Sequence, residues 1–391
     1  MLRPALLAAA AIPVIASAQS TPVAPPPAPG PPPVLVPVAG VPDKHRQALI
    51  SWKAGPVTCA GENASPEAMP EPLASIGTMP VASSGEAKAA EPPRFTFSVD
   101  ATGRVLDIKP ETKAFVSYGN DIVPSLAAAR FPPGRPLSGC SVEYARTAES
   151  LAAADLEDLI AYTVFPSGRP PQVVWDRIKP AGSTCMEDAP PPLTRVFPNF
   201  EEIPQRSGTL GWTLVGYDID ERGRTVRVRR VAGSGNEVLD REAVEAIESS
   251  TFTPGKRQGC LYPYWRRGKP LAAPEAPDLA AYRPADAKCP ETMGWARAPR
   301  LTFPEPYRRR GIEGWAVVAY DVAPWGEIGN MRVLAAQPAA AFGEAAMNVL
   351  RAASKPPSAQ GATGCVDRVR FVAAPAGSAR VGGEGPVPVE S

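Results

Sequence analysis

One phrase recurs three times in this chain and constrains it more than its composition does. It reads FPPGRPLSGC from Phe131 to Cys140, FTPGKRQGC from Phe252 to Cys260, and more loosely SKPPSAQGATGC ending at Cys365. Repetition at a near-constant spacing marks one supersecondary unit used several times. Upstream of each phrase stands a hairpin pattern. In LVGYDIDERGRTVRVRRV, apolar and polar residues alternate up to an Asp-Glu-Arg-Gly turn and then resume, with glycine where φ must be positive. Counting back four, six and eight residues from Gly223 gives Ile219, Tyr217 and Val215. The same count gives Val322, Tyr320 and Val318 from Gly326, and Val99, Phe97 and Phe95 from Gly103. Five residues beyond each glycine stand Ile108, Val228 and Met331.

A helix is expected after each hairpin. Leu239-Asp240 precedes REAVEAIESS, with Asp240 as the N-cap and Leu239 set to staple against Val244. Val244 and Ile247 then share a helical face, as do Met347 and Leu350 at the same spacing from Phe342. Tyr118, Val123 and Leu126 are the counterparts in the first copy, where Pro124 is tolerated if the helix begins at Asp121. Each repeated phrase leads into a short apolar strand: SVEY, LYPYW and VDRVRFV. These patterns predict an α+β chain of tandem small antiparallel sheets, each packed with helices.

Each unit begins near one cysteine and ends at another: Cys59 with Cys140, Cys185 with Cys260, and Cys289 with Cys365, separated by 81, 75 and 76 positions. A rival scheme joins Cys140 to Cys185 and Cys260 to Cys289 and leaves Cys59 for Cys365, at unequal spans. Closing a loop of the first kind stabilises by roughly 4 to 5 kcal/mol in the chain-entropy model. A disulfide framework suits an exported chain. Export is signalled by MLRPALLAAAAIPVIASAQS, in which Arg3 precedes an apolar run that stops at Ala16-Ser17-Ala18, so residues 1–18 read as a signal peptide. The run is short for a bilayer span of about 20 residues; an uncleaved membrane anchor is the alternative. Ten of the fifty prolines fall between Pro22 and Pro42, making 19–42 a Pro-rich spacer of polyproline type.

Much chemistry is excluded. Lys plus Arg number 41 against 40 Asp plus Glu, so no whole-chain field argues for nucleic acid. The single histidine, His45, sits in PDKHRQ beside the spacer and reads as solvated. No GxSxG, HExxH, CxxC or GxxxxGK[ST] is present, and no carboxylate pair stands out. The sequence therefore predicts no enzyme, no cofactor and no metal. Asp218-x-Asp220-x-x-Gly223 faintly matches a calcium loop, but Arg222 and Arg229 occupy ligand places, which favours a hairpin turn. Arg222, Arg224, Arg227, Arg229 and Arg230 form a basic strand edge and Arg308, Arg309 and Arg310 a second cluster; both read as solvated faces or, alternatively, as contacts for anionic lipid, cell wall or an acidic peptide. Trp212 and Trp315 read as core.

The order of these parts resembles the C-terminal domain of TonB, the energy transducer of Gram-negative envelopes. Phe197-Pro198 and Phe303-Pro304, Gly211 and Gly314, the turn glycine, the helix and the Pro-rich stop recur in register in the second and third copies. The resemblance implies small three-stranded sheets and places disulfide-stapled modules at 183–267 and 287–373, with a degenerate one at 43–145. Between them lie a connecting segment of unassigned fold at 146–182, in which ESLAAADLEDLIAY has helical spacing and FPSGRPPQVVWDRI could be a turn and strand, and a linker at 268–286. A disordered tail is expected at 374–391.

That family binds extended segments of outer-membrane transporters as an added strand on the edge of its last strand. An exposed edge offers unpaired N–H and C=O groups to such a peptide. Carried over, the candidate edges are Val142 to Tyr144, Leu261 to Trp265 with Leu261, Tyr262 and Tyr264 as its site residues, and the run Val366, Asp367, Arg368, Val369, Arg370 and Phe371. Pro263 removes a donor from the second, so the third is expected to be the most continuous; the alternative is that charge simply protects these edges. The resemblance implies a periplasmic, non-catalytic peptide-binding protein linked to transmembrane transport, with an outer-membrane transporter or another envelope protein as partner. Alternatives are an envelope scaffold bound to the cell wall, or a membrane-anchored transducer if the N-terminal segment is retained. The family's transducers carry a histidine in their membrane helix, a feature that the position of His45 does not match.

Overall fold

The computed structural model describes residues 45–80, 91–111, 116–185, 188, 190–373 and 389–390. The expected signal peptide, Pro-rich spacer and most of the expected tail lie outside the described residues. No helix among the described residues is long and apolar enough to cross a membrane.

The alternating faces around each turn glycine fold as expected. In the first module the strands are β1 (His45–Ala54), β2 (Val57–Cys59), β3 (Glu62–Ala64), β4 (Ser75–Pro80), β5 (Arg94–Val99) and β6 (Val105–Pro110). Helix α1 (Ile122–Ala127) and the long β7 (Leu137–Ser150) complete it. Asp121 is the residue before α1, so Pro124 falls in the first turn, where its missing N–H costs nothing. Strand β5 lies between β6 and β7, and the far side of β7 is taken by β2 and β1.

Residues 146–182 finish β7 and then form two helices, α2 (Leu156–Val164) and α3 (Gln172–Ile178). The expected strand in the second half is thus a helix. Val174 and Ile178, four apart on α3, pack with Leu159 and Ile160 of α2 against Trp212 and Leu214, a contact that period-two reading of so short a run cannot reveal. The second module continues through β8 (Pro192–Thr194), β9 (Leu210–Ile219), β10 (Thr225–Gly233), α4 (Glu237–Glu248), β11 (Thr251–Phe252) and β12 (Arg257–Arg267), with sheet order β10-β9-β12. Helix α4 starts a turn earlier than Asp240 suggested. The Asn236 side chain is its cap, accepting from Leu239 N at 3.1 Å, and Asp240 instead pairs with Arg230 at 2.8 Å.

The stretch expected as a linker is a strap laid across the third sheet. It includes a 3-10 turn at Leu279–Tyr282, and its Pro274 and Pro277 carbonyls accept from Trp315 Nε1 (2.9 Å) and Arg368 (3.0 Å). Then follow α5 (Glu305–Arg310), β13 (Gly314–Val322), β14 (Ile328–Gln337), α6 (Ala340–Arg351), β15 (Ala362–Phe371) and β16 (Val389–Glu390), in sheet order β14-β13-β15-β16.

The three copies agree in detail. Gly103, Gly223 and Gly326 have φ of 80°, 81° and 94°, and a Cβ on each would lie 2.0 to 2.1 Å from the carbonyl oxygen of Phe131, Phe252 or Lys355. The amides of those same three residues donate to the glycine carbonyls at 3.0, 2.8 and 2.9 Å. Four residues past each glycine a non-glycine takes the left-handed conformation: Asp107, Arg227 and Asn330, with φ of 54°, 54° and 50°. Each is held by a side chain from the incoming strand: Ser98, Asp218 and Asp321. Asp218 also accepts from Gly259 N (2.7 Å) and Asp321 from Gly364 N (2.9 Å), so these carboxylates tie the hairpin to the last strand. The disulfides join Cys59–Cys140, Cys185–Cys260 and Cys289–Cys365, one within each module.

The first and third modules share one core, which runs from Phe95, Phe97 and Tyr144 to Tyr307, Phe342 and Phe371. A buried ion pair crosses it: the Arg310 guanidinium meets Asp121, which also accepts from Leu73 N at 2.7 Å, while Arg310 donates to Glu71 O at 2.9 Å. Arg310 therefore leaves the basic cluster expected on a solvated face.

Candidate peptide-docking edge

The last strand of each module has one side paired to its own hairpin. The other side decides what the module can do. Counting from the cysteines puts Glu143, Pro263 and Arg368 at the same position, three residues on from Cys140, Cys260 and Cys365. Glu143 O accepts from Gly55 N at 2.8 Å, on the side of β7 away from β5, so this position faces outward. Proline is tolerated there because it has no donor to lose to the ladder. By the alternation of a strand, Leu261, Pro263, Trp265 and Arg267 form the outward row of β12.

These outward rows fare differently. In the first module β2 pairs Thr58 with Ser141 and β1 pairs Ala54 through Ala48 with Tyr144 through Ser150. In the third, Glu390 lies opposite Arg368 and Val389 opposite Val369. In the second, Thr184 N reaches Gln258 O at 3.0 Å, but among the described residues no backbone partner meets the outward side of Leu261 to Arg267. The edge that sequence favoured as most continuous is thus paired at its middle, at Arg368 and Val369, while the one interrupted by proline has no such partner among the described residues.

The open edge has an aromatic and basic rim. Trp265 is 51% exposed and stands edge-on to Phe165 at 6.1 Å; Phe197 is 57% exposed and stands edge-on to Tyr264 at 6.2 Å. Tyr262 packs edge-on to Tyr264 at 4.9 Å, and the Arg195 guanidinium lies 4.1 Å from the centre of the Tyr262 ring. Tyr264 itself is buried and donates to Val196 O at 2.9 Å; burial, with Tyr262 nearby, pushes its hydroxyl up to about 12. Leu261 is partly buried against the α2–α3 side of the sheet. Of the three residues named from sequence, Leu261 lies in the outward row, whereas Tyr262 and Tyr264 build the α4 side on which the row rests. Sequence reasoning ended this candidate edge at Trp265 but missed Phe197 and Arg195, which lie outside the strand and reach it only through the Tyr264 and Tyr262 rings.

In the third module Val366, Val369 and Phe371 are buried, and Arg368 and Arg370 are half-buried. Asp367 is buried too. Its Oδ2 accepts from Tyr320 Oη at 2.7 Å and lies 3.6 Å from Lys355 Nζ, which is itself 3.5 Å from the centre of the Trp295 ring. Charge there serves the core and does not guard an edge. Three arginines of the basic row at β10 are engaged, Arg224 with Asp220, Arg227 with Asp218, and Arg230 with Asp240 and with Glu157 of α2, while Arg222 and Arg229 are exposed.

The model of the Gram-negative bacterial TonB protein C-terminal family matches residues 198–265 and 299–377. The chain carries two TonB C-terminal domains. They coincide with the second and third modules, and the domain is one of the Gram-negative envelope. No curated protein matches the chain. The two TonB C-terminal domains account for β9 to β12 and for α5 to β15, while α2, α3 and β1 to β7 lie outside the matched regions.

Proposed function

We propose that this is a non-catalytic, TonB-like protein of the periplasm that binds an extended peptide of an envelope partner, such as an outer-membrane transporter, as an added strand on β12. The observation that carries this reading is the contrast between edges: β12 alone keeps the outward row Leu261 to Arg267 without a backbone partner among the described residues. Strand addition draws its affinity from main-chain hydrogen bonds and its selectivity from alternate side chains. Trp265 on one side and the Phe197–Tyr264–Tyr262 group on the other supply those side-chain contacts. The first module acts as a scaffold, since its own N-terminal strands fill its edge.

The test uses two forms of one labelled transporter peptide. N-methylation of two alternate amides that face β12 should weaken binding about tenfold to hundredfold, at about 1 kcal/mol for each lost hydrogen bond. Methylation of the two intervening amides should leave binding unchanged. Equal loss in both forms would refute strand addition.

A further inference from the structure

We infer that the chain's own C-terminal segment is the resident strand of the third module's edge, and that Val389–Glu390 keeps β15 closed to incoming peptide, leaving β12 as the docking site. The inference rests on the strand-addition reading only for its second half.

The occupant is defined by register. Glu390 lies opposite Arg368 and Val389 opposite Val369, antiparallel, which extends the sheet of β13 and β15 by one strand. Arg368 is the outward position of its strand, equivalent to Glu143, which accepts from Gly55 in the first module. The third edge is therefore filled by the same device as the first, a segment of the same chain; the first uses the strand before its module and the third a strand after it.

The second edge cannot take this segment in the same way. Where β15 offers the Arg368 N–H, β12 has Pro263, which has none. The tail therefore has one ladder bond fewer to make on β12 than on β15, which favours its place on β15. Seventeen residues, 372 to 388, join β15 to its partner, rich in Gly, Ala and Pro. A tether of that many residues sets the effective concentration of its end near its start on the order of millimolar. A free peptide present at micromolar concentration cannot compete unless it binds far more tightly than the tail.

The test compares the full chain with one ending at Pro375, by residue-resolved amide exchange and by titration with the labelled transporter peptide. In the full chain the Arg368 amide should exchange at least tenfold more slowly than in the shortened one. Adding the synthetic peptide EGPVPVES should restore the protection. Peptide stoichiometry should rise from one to two on shortening. Equal exchange at Arg368 in both chains would overturn the inference. If exchange rises but neither chain binds the transporter peptide, the tail does occupy β15 and it is the strand-addition reading that fails. If exchange rises and the full chain already binds two peptides, the tail is no barrier and the closing role is overturned.

Discussion

The second and third modules use the same hairpin, the same close approach at the turn and the same disulfide, yet one corner of their cores is built from opposite materials. In the second, Tyr217 stacks on Phe252 at 5.6 Å and Tyr262 stands beside them. In the third, the corresponding residues are Tyr320, Lys355 and Asp367, a buried ionic group roofed by Trp295. The first module is plainer still, with Phe97, Phe131 and Val142. A single backbone design thus accepts an apolar or an ionic filling, provided that the ionic one is complete. Turn glycine, bulge residue and cysteine are set by backbone geometry and recur; the filling is set by mutual satisfaction and drifts.

The largest expected effect comes from breaking the ionic corner by half. Asp367→Val leaves Lys355 buried with no carboxylate and should cost about 3–5 kcal/mol in urea unfolding. Lys355→Phe with Asp367→Val imports the first module's pair and should return stability to the starting value or raise it by about 1–4 kcal/mol. A double variant as unstable as the single one would show that the modules are not interchangeable at this corner.

Next in size is the turn. Gly223→Ala and Gly326→Ala each force a Cβ to within 2.0 to 2.1 Å of a backbone carbonyl at positive φ. Each should lose about 1–3 kcal/mol or more, and the losses should match between modules. Unequal losses would say that the turns are equivalent in shape only.

The smallest effect is in pH. Burial, the larger cause for each group, raises the Asp367 carboxyl above its ordinary range and lowers the Lys355 ammonium below its own. Both shifts favour the neutral forms in the folded chain, so the charged pair lowers stability between those two titrations. The advantage of the double variant should be greatest near neutral pH. It should shrink as pH falls below about 4, where Asp367 becomes protonated in the unfolded chain as well, and as pH rises above about 10.5, where Lys355 becomes neutral in both states. A flat difference across that range would contradict the assignment.

The hairpins, the within-module disulfides and the core tryptophans were legible because each rests on local spacing: faces of period two, one glycine per turn, one cysteine at each end. The cover on each sheet was not. Pro274 and Pro277 have no periodicity and read as linker, yet their carbonyls hold Trp315 and Arg368 in place. Val174 and Ile178 looked like a strand until Trp212 and Leu214 gave them a surface to cover. Edge occupancy was illegible for the same reason. Whether β12 or β15 is open depends on residues far along the chain, Val389 in one case and nothing described in the other. Proline at 263 pointed the wrong way because a missing donor weakens an edge for the chain's own tail as well as for a guest.

Residue-resolved amide exchange on the unmodified chain tests the central contrast most directly. The outward amides of Leu261, Trp265 and Arg267 on β12 should exchange near the rate of exposed backbone, while those of Ser141 and Ala145 on β7, opposite Thr58 and Lys53 on that side, should be slower by a factor of a hundred or more. Equal protection on the two strands would mean that β12 is covered after all and offers no edge for a partner to join.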